Sequence, residues 1–225
     1  MPIERLFDDY DVQELIDKNA SQPLGRRNAA LIFGGVYWGL TLLELSLLDT
    51  KDVLSSKGDF YQKWVLPDYN SYNGEAREIY TEEHALPFLQ GWVELRKKND
   101  WGLSNLKCFQ GLDPESKFFL NDRGEPYKLS ERKKGSGQYQ AQGMKDQFKR
   151  MIDKTSLHGA TPASFRDSYV KGMYEHGCKI EELKKVSGIK QKRTIENKVR
   201  PHEAELEIVF KKLFSRVKNP FKDET

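Results

Sequence analysis

The sequence predicts an α+β fold, mainly helical with a small antiparallel sheet, and three observations carry that expectation. Apolar residues recur at helical spacing in several separate stretches. Residues 60–80 instead combine aromatic and β-branched residues about an Asn-Gly turn, the signal of a hairpin. The composition, 37% hydrophobic and 32% charged, suits a globular chain with a real core and a busy surface.

A chain of 225 residues allows one sizeable domain with small appendages, here a helical lead-in over 1–23, a main domain over 24–202 and a C-terminal helix and tail over 203–225. In the lead-in, Ile3, Leu6, Phe7, Val12, Leu15 and Ile16 sit among acidic positions and suit one or two short helices that pack on the main domain. Gln22-Pro23-Leu24-Gly25 breaks the chain, and Arg26 and Arg27 precede an apolar helix from Ala29 to Trp38 that Gly39 ends. The run Ala29 to Leu48 is the one stretch apolar enough to span a membrane. Glu44, Ser46 and the Gly34-Gly35 pair within it point to a buried core helix instead.

Phe60 to Leu66 and Arg77 to Tyr80 read as strands around a polar turn at Asn70 to Gly74. Glu82 to Lys98 reads as a helix with Leu86, Leu89, Trp92, Val93 and Leu95 on its apolar stripe. Phe118-Phe119-Leu120 is a short apolar run before a turn, and the basic, glycine-rich residues 128–143 read as a mobile surface loop. Phe148, Met151 and Ile152 mark a helix that also carries Lys145, Lys149 and Arg150. Thr161 as N-cap and Pro162 at the first helical position open the next helix, which carries Arg166 and stops near Gly177. Ile180, Leu183 and Val186 form a short amphipathic helix ended by Gly188, and a basic patch, Lys190-Gln191-Lys192-Arg193, comes next. Leu206, Val209, Phe210, Leu213, Phe214 and Val217 repeat at helical spacing in the tail.

Net charge is only +3, so a distributed basic face, not a polycation, is the picture. Cys108 and Cys178 are too few and too isolated for a metal cluster or disulfide framework, and His84 and His202 show no metal-ligand spacing. No cofactor, no metal and no membrane partner is expected, and the location expected is cytoplasmic. The N-terminus lacks a signal-peptide core.

Thr161-Pro162-Ala163-Ser164-Phe165-Arg166-Asp167, with Gly177 and Gly188 at successive spacings of eleven residues, resembles the C-terminal signature of the tyrosine recombinases (phage integrases). That signature runs Thr-Pro-His-x-x-Arg-His, a glycine, Leu-Gly-His and then the nucleophilic tyrosine. Tyr37, Gly39, Leu40, Glu44 and Leu45 match a second family pattern, Tyr-Thr-Gly-Leu-Arg-x-x-Glu-Leu. Asn73 to Ile79 fits the hairpin pattern Gly-Lys-x-Arg-x-Val-Pro, with Arg77 kept. The resemblance covers roughly residues 24 to 200 and implies the fold of the family's catalytic domain alone.

The resemblance also implies what is missing. The first catalytic arginine falls on Thr41, the lysine on Glu75, the first histidine on Ala163, the second on Asp167, the third on Ile189 and the nucleophile on Lys198; of the set only Arg166 is kept. Loss of a general acid costs roughly 10²–10⁴ in rate and loss of an electrostatic stabiliser about 10²–10³, and without a nucleophile the covalent route is closed. Tyr169 and Tyr174 read as packing tyrosines, and His158 and His176 as exposed loop and helix-end residues. The expectation is therefore not an enzyme but a catalytically inactive DNA-binding protein, a regulator or architectural accessory of a mobile genetic element.

By the same resemblance, Arg77, Arg132, Lys133, Lys134, Lys145, Lys149, Arg150, Arg166, Lys190, Lys192 and Arg193 are the candidate contacts to double-stranded DNA. For Arg166 a structural pair with Asp167 or Glu44 stands as the alternative. The apolar stripe from Leu206 to Val217 is the candidate contact to a second copy or to an active recombinase, unless it packs in cis. Two other functions remain open: an interaction partner of an active recombinase with little DNA binding of its own, and a recombinase with a relocated active site.

Overall fold

The computed structural model describes residues 5–200; the expected C-terminal helix with Leu206, Val209, Phe210, Leu213, Phe214 and Val217 lies outside the described residues, as does His202. The described chain runs α1 (Asp9–Ala20), α2 (Gly25–Tyr37), α3 (Leu42–Leu47), α4 (Thr50–Val53), β1 (Lys63–Leu66), β2 (Arg77–Tyr80), α5 (Leu86–Lys98), β3 (Ser130–Glu131), β4 (Tyr139–Gln140), α6 (Gln142–Ile152), α7 (Ser164–Glu175), α8 (Ile180–Ser187) and α9 (Lys192–Val199). It is mainly helical with small antiparallel sheets, as expected.

The centre is α2, buried without a break from Arg27 to Gly35 and packed against α1, α5 and α7. Its apolar residues on every side suit an interior helix, and no helix of the described residues is long and apolar enough to cross a membrane. Val12 and Leu15 of α1, Trp92 of α5, Phe148 of α6 and Phe165 of α7 close the main core around it. A smaller, separate cluster of Val170, Leu183, Ile189, Ile195 and Val199 joins α7, α8 and α9.

β1 and β2 pair antiparallel, Trp64 opposite Ile79 and Leu66 opposite Arg77. Strand alternation turns those four inward and leaves Lys63, Val65, Glu78 and Tyr80 outward. The indoles of Trp38 and Trp64 both donate to the Thr81 hydroxyl, at 3.1 Å each, which ties the hairpin to the end of α2. Arg96 of α5, fully buried, donates to Thr50 Oγ1, Ser116 Oγ and the carbonyls of Trp101, Gly102 and Phe118, and so staples the long 99–120 connection onto the core.

Several expectations need correction. Within residues 128–143, expected as a surface loop, the chain forms the short hairpin β3–β4 before α6 begins at Gln142; the Glu131 carboxylate accepts the N–H groups of Gly135 (2.7 Å) and Gly137 (3.3 Å) across its turn. Strands of two residues have no alternation to read. The first strand of the other hairpin is Lys63–Leu66, shorter than Phe60 to Leu66, and α7 begins at Ser164 because the chain first makes a tight turn. In that turn the Thr161 hydroxyl accepts the Ala163 N–H (3.1 Å) and its carbonyl accepts the Ser164 N–H (3.0 Å). α9 has no counterpart among the expected elements: it rests on just two apolar residues, Ile195 and Val199, one turn apart. Tyr174 is 43% exposed and so is not a packing tyrosine.

Candidate nucleic-acid interface

Glu44, fully buried in α3, organises the interior side of the site. Thr41 and Glu44 form a reciprocal cap: the Thr41 N–H donates to Glu44 Oε2 at 2.7 Å and the Glu44 N–H to Thr41 Oγ1 at 3.2 Å. Arg77 then reaches both carboxylate oxygens, at 2.7 and 2.8 Å, and the Tyr72 N–H donates at 3.1 Å. Burial alone would push the Glu44 carboxyl up; the Arg77 guanidinium, with the N–H groups of Thr41 and Tyr72, outweighs it and holds the carboxyl below its ordinary range. Arg77, expected as a DNA contact, is therefore a buried ion-pair partner. The alternation of β2 carries it inward with Ile79.

Arg166 lies on the first turn of α7. Its Nη2 donates to the Ser187 carbonyl at 2.5 Å, its guanidinium lies over the Tyr72 ring 4.6 Å from the centroid, and its Nε is buried without a hydrogen-bond partner. It pairs with neither of the carboxylates expected for it. Glu44 holds Arg77, and Asp167 holds Lys198. Gly188, in the left-handed conformation at φ +69°, ends α8 and turns its carbonyl to Tyr72 Oη (2.6 Å) and Asn73 Nδ2 (2.8 Å), which clamps the α8–α9 turn to the hairpin.

These contacts shape two adjoining depressions. A cleft of about 970 Å³ is lined by Thr41, Tyr72, Arg132, Lys145, Ala163, Arg166, Asp167 and Lys198, among others. A shallower one of about 460 Å³ shares Tyr72, Arg166 and Lys198 with it and adds Lys190 and Ile189. The architecture matches solved structures closely enough to decide the fold. XerA recombinase superposes with a TM-score of 0.67 at 14% identity, over 97% of this chain and 67% of that one. The fold is that of the tyrosine-recombinase catalytic domain.

A Tn1549 transposon integrase in complex with a circular intermediate DNA matches with a TM-score of 0.63 at 14% identity, over 94% of this chain and 66% of that one. XerH site-specific recombinase bound to a palindromic difH substrate matches at 0.62 and 14% identity, over 92% of this chain and 52% of that one. The chain thus spans about two thirds of the length of the first two and about half of the third. No protein-family model and no curated protein matches it.

The positions that resemble the recombinase active site do converge. Thr41, Ala163, Arg166, Asp167 and Lys198 line one cleft, with Ile189 in the adjoining depression. Ile189 is buried in the smaller core and Ala163 is exposed at the start of α7. Glu75 stands outside the cleft and pairs with Lys190 at 2.9 Å. Tyr169 packs against Gly39, which at φ +60° leaves no room for a Cβ beside the ring, and burial pushes its hydroxyl up to about 12, so it stays protonated.

Of the other expected contacts, Arg132 and Lys145 line the cleft, and Lys133 and Lys134 are exposed beside Arg132 on the β3–β4 turn. Lys149, exposed, follows Lys145 one helical turn along α6. Arg150 is about 140° round that helix from Lys145, exposed, and turns to Gln147 and Asp122 (3.7 Å); it is not among the residues that line the cleft. Lys192 and Arg193 are exposed in the first turn of α9, Lys192 against Glu196 at 3.7 Å. The functional residue that the sequence does not flag is Tyr72, whose ring carries Arg166 and whose hydroxyl holds the Gly188 turn; nothing in its local pattern sets it apart from other exposed tyrosines.

Proposed function

We propose that this chain binds duplex DNA through the basic rim of the cleft and does not itself cleave it, serving as a regulator or architectural accessory of a mobile genetic element in the cytoplasm, at the nucleoid. The observation that carries the reading is a set of exposed cations at and next to the cleft: Arg132 and Lys145 line it, Lys133 and Lys134 follow Arg132 on the β3–β4 turn, Lys149 follows Lys145 on α6, and Lys192 and Arg193 open α9, which brings Lys198 to the cleft. Lys192 and Arg193 also stand at the positive end of the α9 dipole, which adds to their attraction for phosphate. Likeness to an integrase and a recombinase solved on DNA supports the same reading. The absence of cleavage rests on the residue types at the matched positions, since Lys198 and Asp167 pair with each other where the family resemblance calls for a tyrosine and a histidine.

The test is retardation of duplex DNA at graded salt by the purified chain. Binding should weaken linearly in log salt, with a slope of about −0.9 per phosphate contacted. Neutralising Lys192 and Arg193 together should flatten that slope by roughly two. A nicked suicide duplex should yield no covalent adduct. Absence of any retardation would overturn the DNA reading and favour a protein partner, and an adduct would overturn the non-cleaving part alone.

A further inference from the structure

Three cations surround the floor where the two depressions meet, and two of them are already matched by a carboxylate of the same chain. Lys198 on α9 is held by Asp167 on α7, and Lys190 by Glu75 before β2. Arg166 spends its Nη2 on the Ser187 carbonyl and its face on Tyr72. Each carboxylate presents to its lysine the same paired anionic oxygens that a phosphodiester would. The two pairs differ in depth. The Asp167 side chain is 9% exposed and Lys198 25%, whereas Glu75 and Lys190 are 64% and 57% exposed.

We propose that Asp167 and Glu75 are resident occupants of the phosphate-facing lysines: they keep a DNA backbone phosphate off the cleft floor and leave the duplex held from the rim. A phosphate that reached Lys198 would have to displace Asp167 and would then sit beside a poorly solvated like charge, so entry is opposed twice. Asp167 is the stronger of the two because its pair is less solvated; the exposed Glu75 pair is screened by water and salt. The inference rests on the DNA-binding reading and adds which residues decide where along the cleft a phosphate is accepted.

The experiment measures duplex binding by fluorescence anisotropy across roughly 50–200 mM salt. Asp167→Asn should bind about tenfold tighter, with a log–log slope steeper by about 0.9, the signature of one added phosphate contact. Glu75→Gln should shift both in the same direction by less. Adding Lys198→Gln to Asp167→Asn should cancel the gain; if the double variant keeps it, Asp167 acts only as a distant negative charge and the inference is overturned. It is equally overturned if wild type binds DNA and neither single variant changes affinity or slope, an outcome that leaves the DNA reading intact. If no form binds DNA, that reading has failed and inorganic pyrophosphate decides the inference separately. The Lys198 Nζ resonance should then move on pyrophosphate addition in Asp167→Asn and stay put in wild type, and a variant that does not respond overturns it. Should Asp167→Asn lose its cooperative melt, the same titration in Glu75→Gln, read at Lys190, decides between the two outcomes.

Discussion

Glu75 and Arg77 lie two residues apart on one hairpin, and each forms half of a glutamate–cation pair. Arg77 and Glu44 are 4% and 0% exposed, whereas Glu75 and Lys190 are 64% and 57% exposed. Arg77 opens β2, where alternation puts it on the inner face with Ile79; Glu75 lies just before the strand begins, where no such constraint applies. The chemical groups are nearly the same, and their surroundings decide whether they hold the fold or meet the solvent. A buried pair is costly to form and costlier to break on one side, while an exposed pair is nearly neutral.

The sharpest way to break that contrast is to remove one partner of the interior pair. Arg77→Ala should destabilise the protein by about 3–5 kcal/mol, because it leaves the Glu44 carboxylate buried with only its neutral donors. Glu44→Gln should fall in the same class and should also loosen the Tyr72 N–H contact and with it the support under Arg166. Urea unfolding of each variant gives the magnitude. The pair also has an acid signature. The Glu44 carboxyl is lowered in the folded state, so its contribution is fully present above the ordinary carboxyl range near 4.5 and fades as pH falls through its lower folded value. Wild type should therefore lose stability below that range more steeply than Glu44→Gln does, and equal acid profiles would deny Glu44 this role.

How much of the molecule is legible in its sequence follows the same division. The main hairpin and the α5 stripe can be read because burial on one face leaves a period in the sequence, the central helix because it is one long apolar run, and the stops at Gly39, Gly177 and Gly188 because the left-handed residue that ends a helix favours glycine. The β2 alternation is also there to be read: once Ile79 is inward, Arg77 must be inward too. Charge alone places Arg77 among the surface cations, and charge alone is the wrong guide inside a strand. Other features leave little trace. β3 and β4 are two residues each, α9 has two apolar anchors, and the pairing of Asp167 with Lys198 joins residues 31 positions apart on different helices. The glycine spacing places Lys198 at the cleft, but only the fold shows which carboxylate meets it.

Arg96 sharpens the contrast from another side. It is as buried as Glu44, yet among the described residues no carboxylate touches it: its hydrogen bonds go to hydroxyls and carbonyls, and burial lowers its pKa to about 10, with Asp113 pulling weakly the other way. Arg96→Leu removes the charge from its pocket and leaves no stranded counter-ion. The remaining cost is the loss of a donor to five acceptors, Thr50, Ser116 and the carbonyls of Trp101, Gly102 and Phe118; Phe118 keeps the Trp92 indole, Gly102 keeps the Asp113 N–H, and the Thr50 and Ser116 hydroxyls keep each other, so the sum is about 2–3 kcal/mol. That is smaller than the effect expected for Arg77→Ala. If the two losses prove equal in urea unfolding, hydrogen-bond number rather than a stranded charge governs the interior, and the distinction drawn between them falls.

Lys190→Gln tests the exposed end of the scale and should be almost silent for stability. Its pair with Glu75 gains little Coulomb energy in water, orders two flexible side chains and is screened further by salt, so the expected change is below about 1 kcal/mol. The Gly188 turn that presents Lys190 does not depend on that pair, since its carbonyl is held by Tyr72 and Asn73 and the apolar side of Ile189 is seated in the smaller core. A thermal melt within about 2 °C of wild type is the expected outcome. A larger drop would mean that the Glu75–Lys190 contact helps fasten the α8–α9 turn to the hairpin. In that case the two pairs on this hairpin would differ in exposure but not in kind.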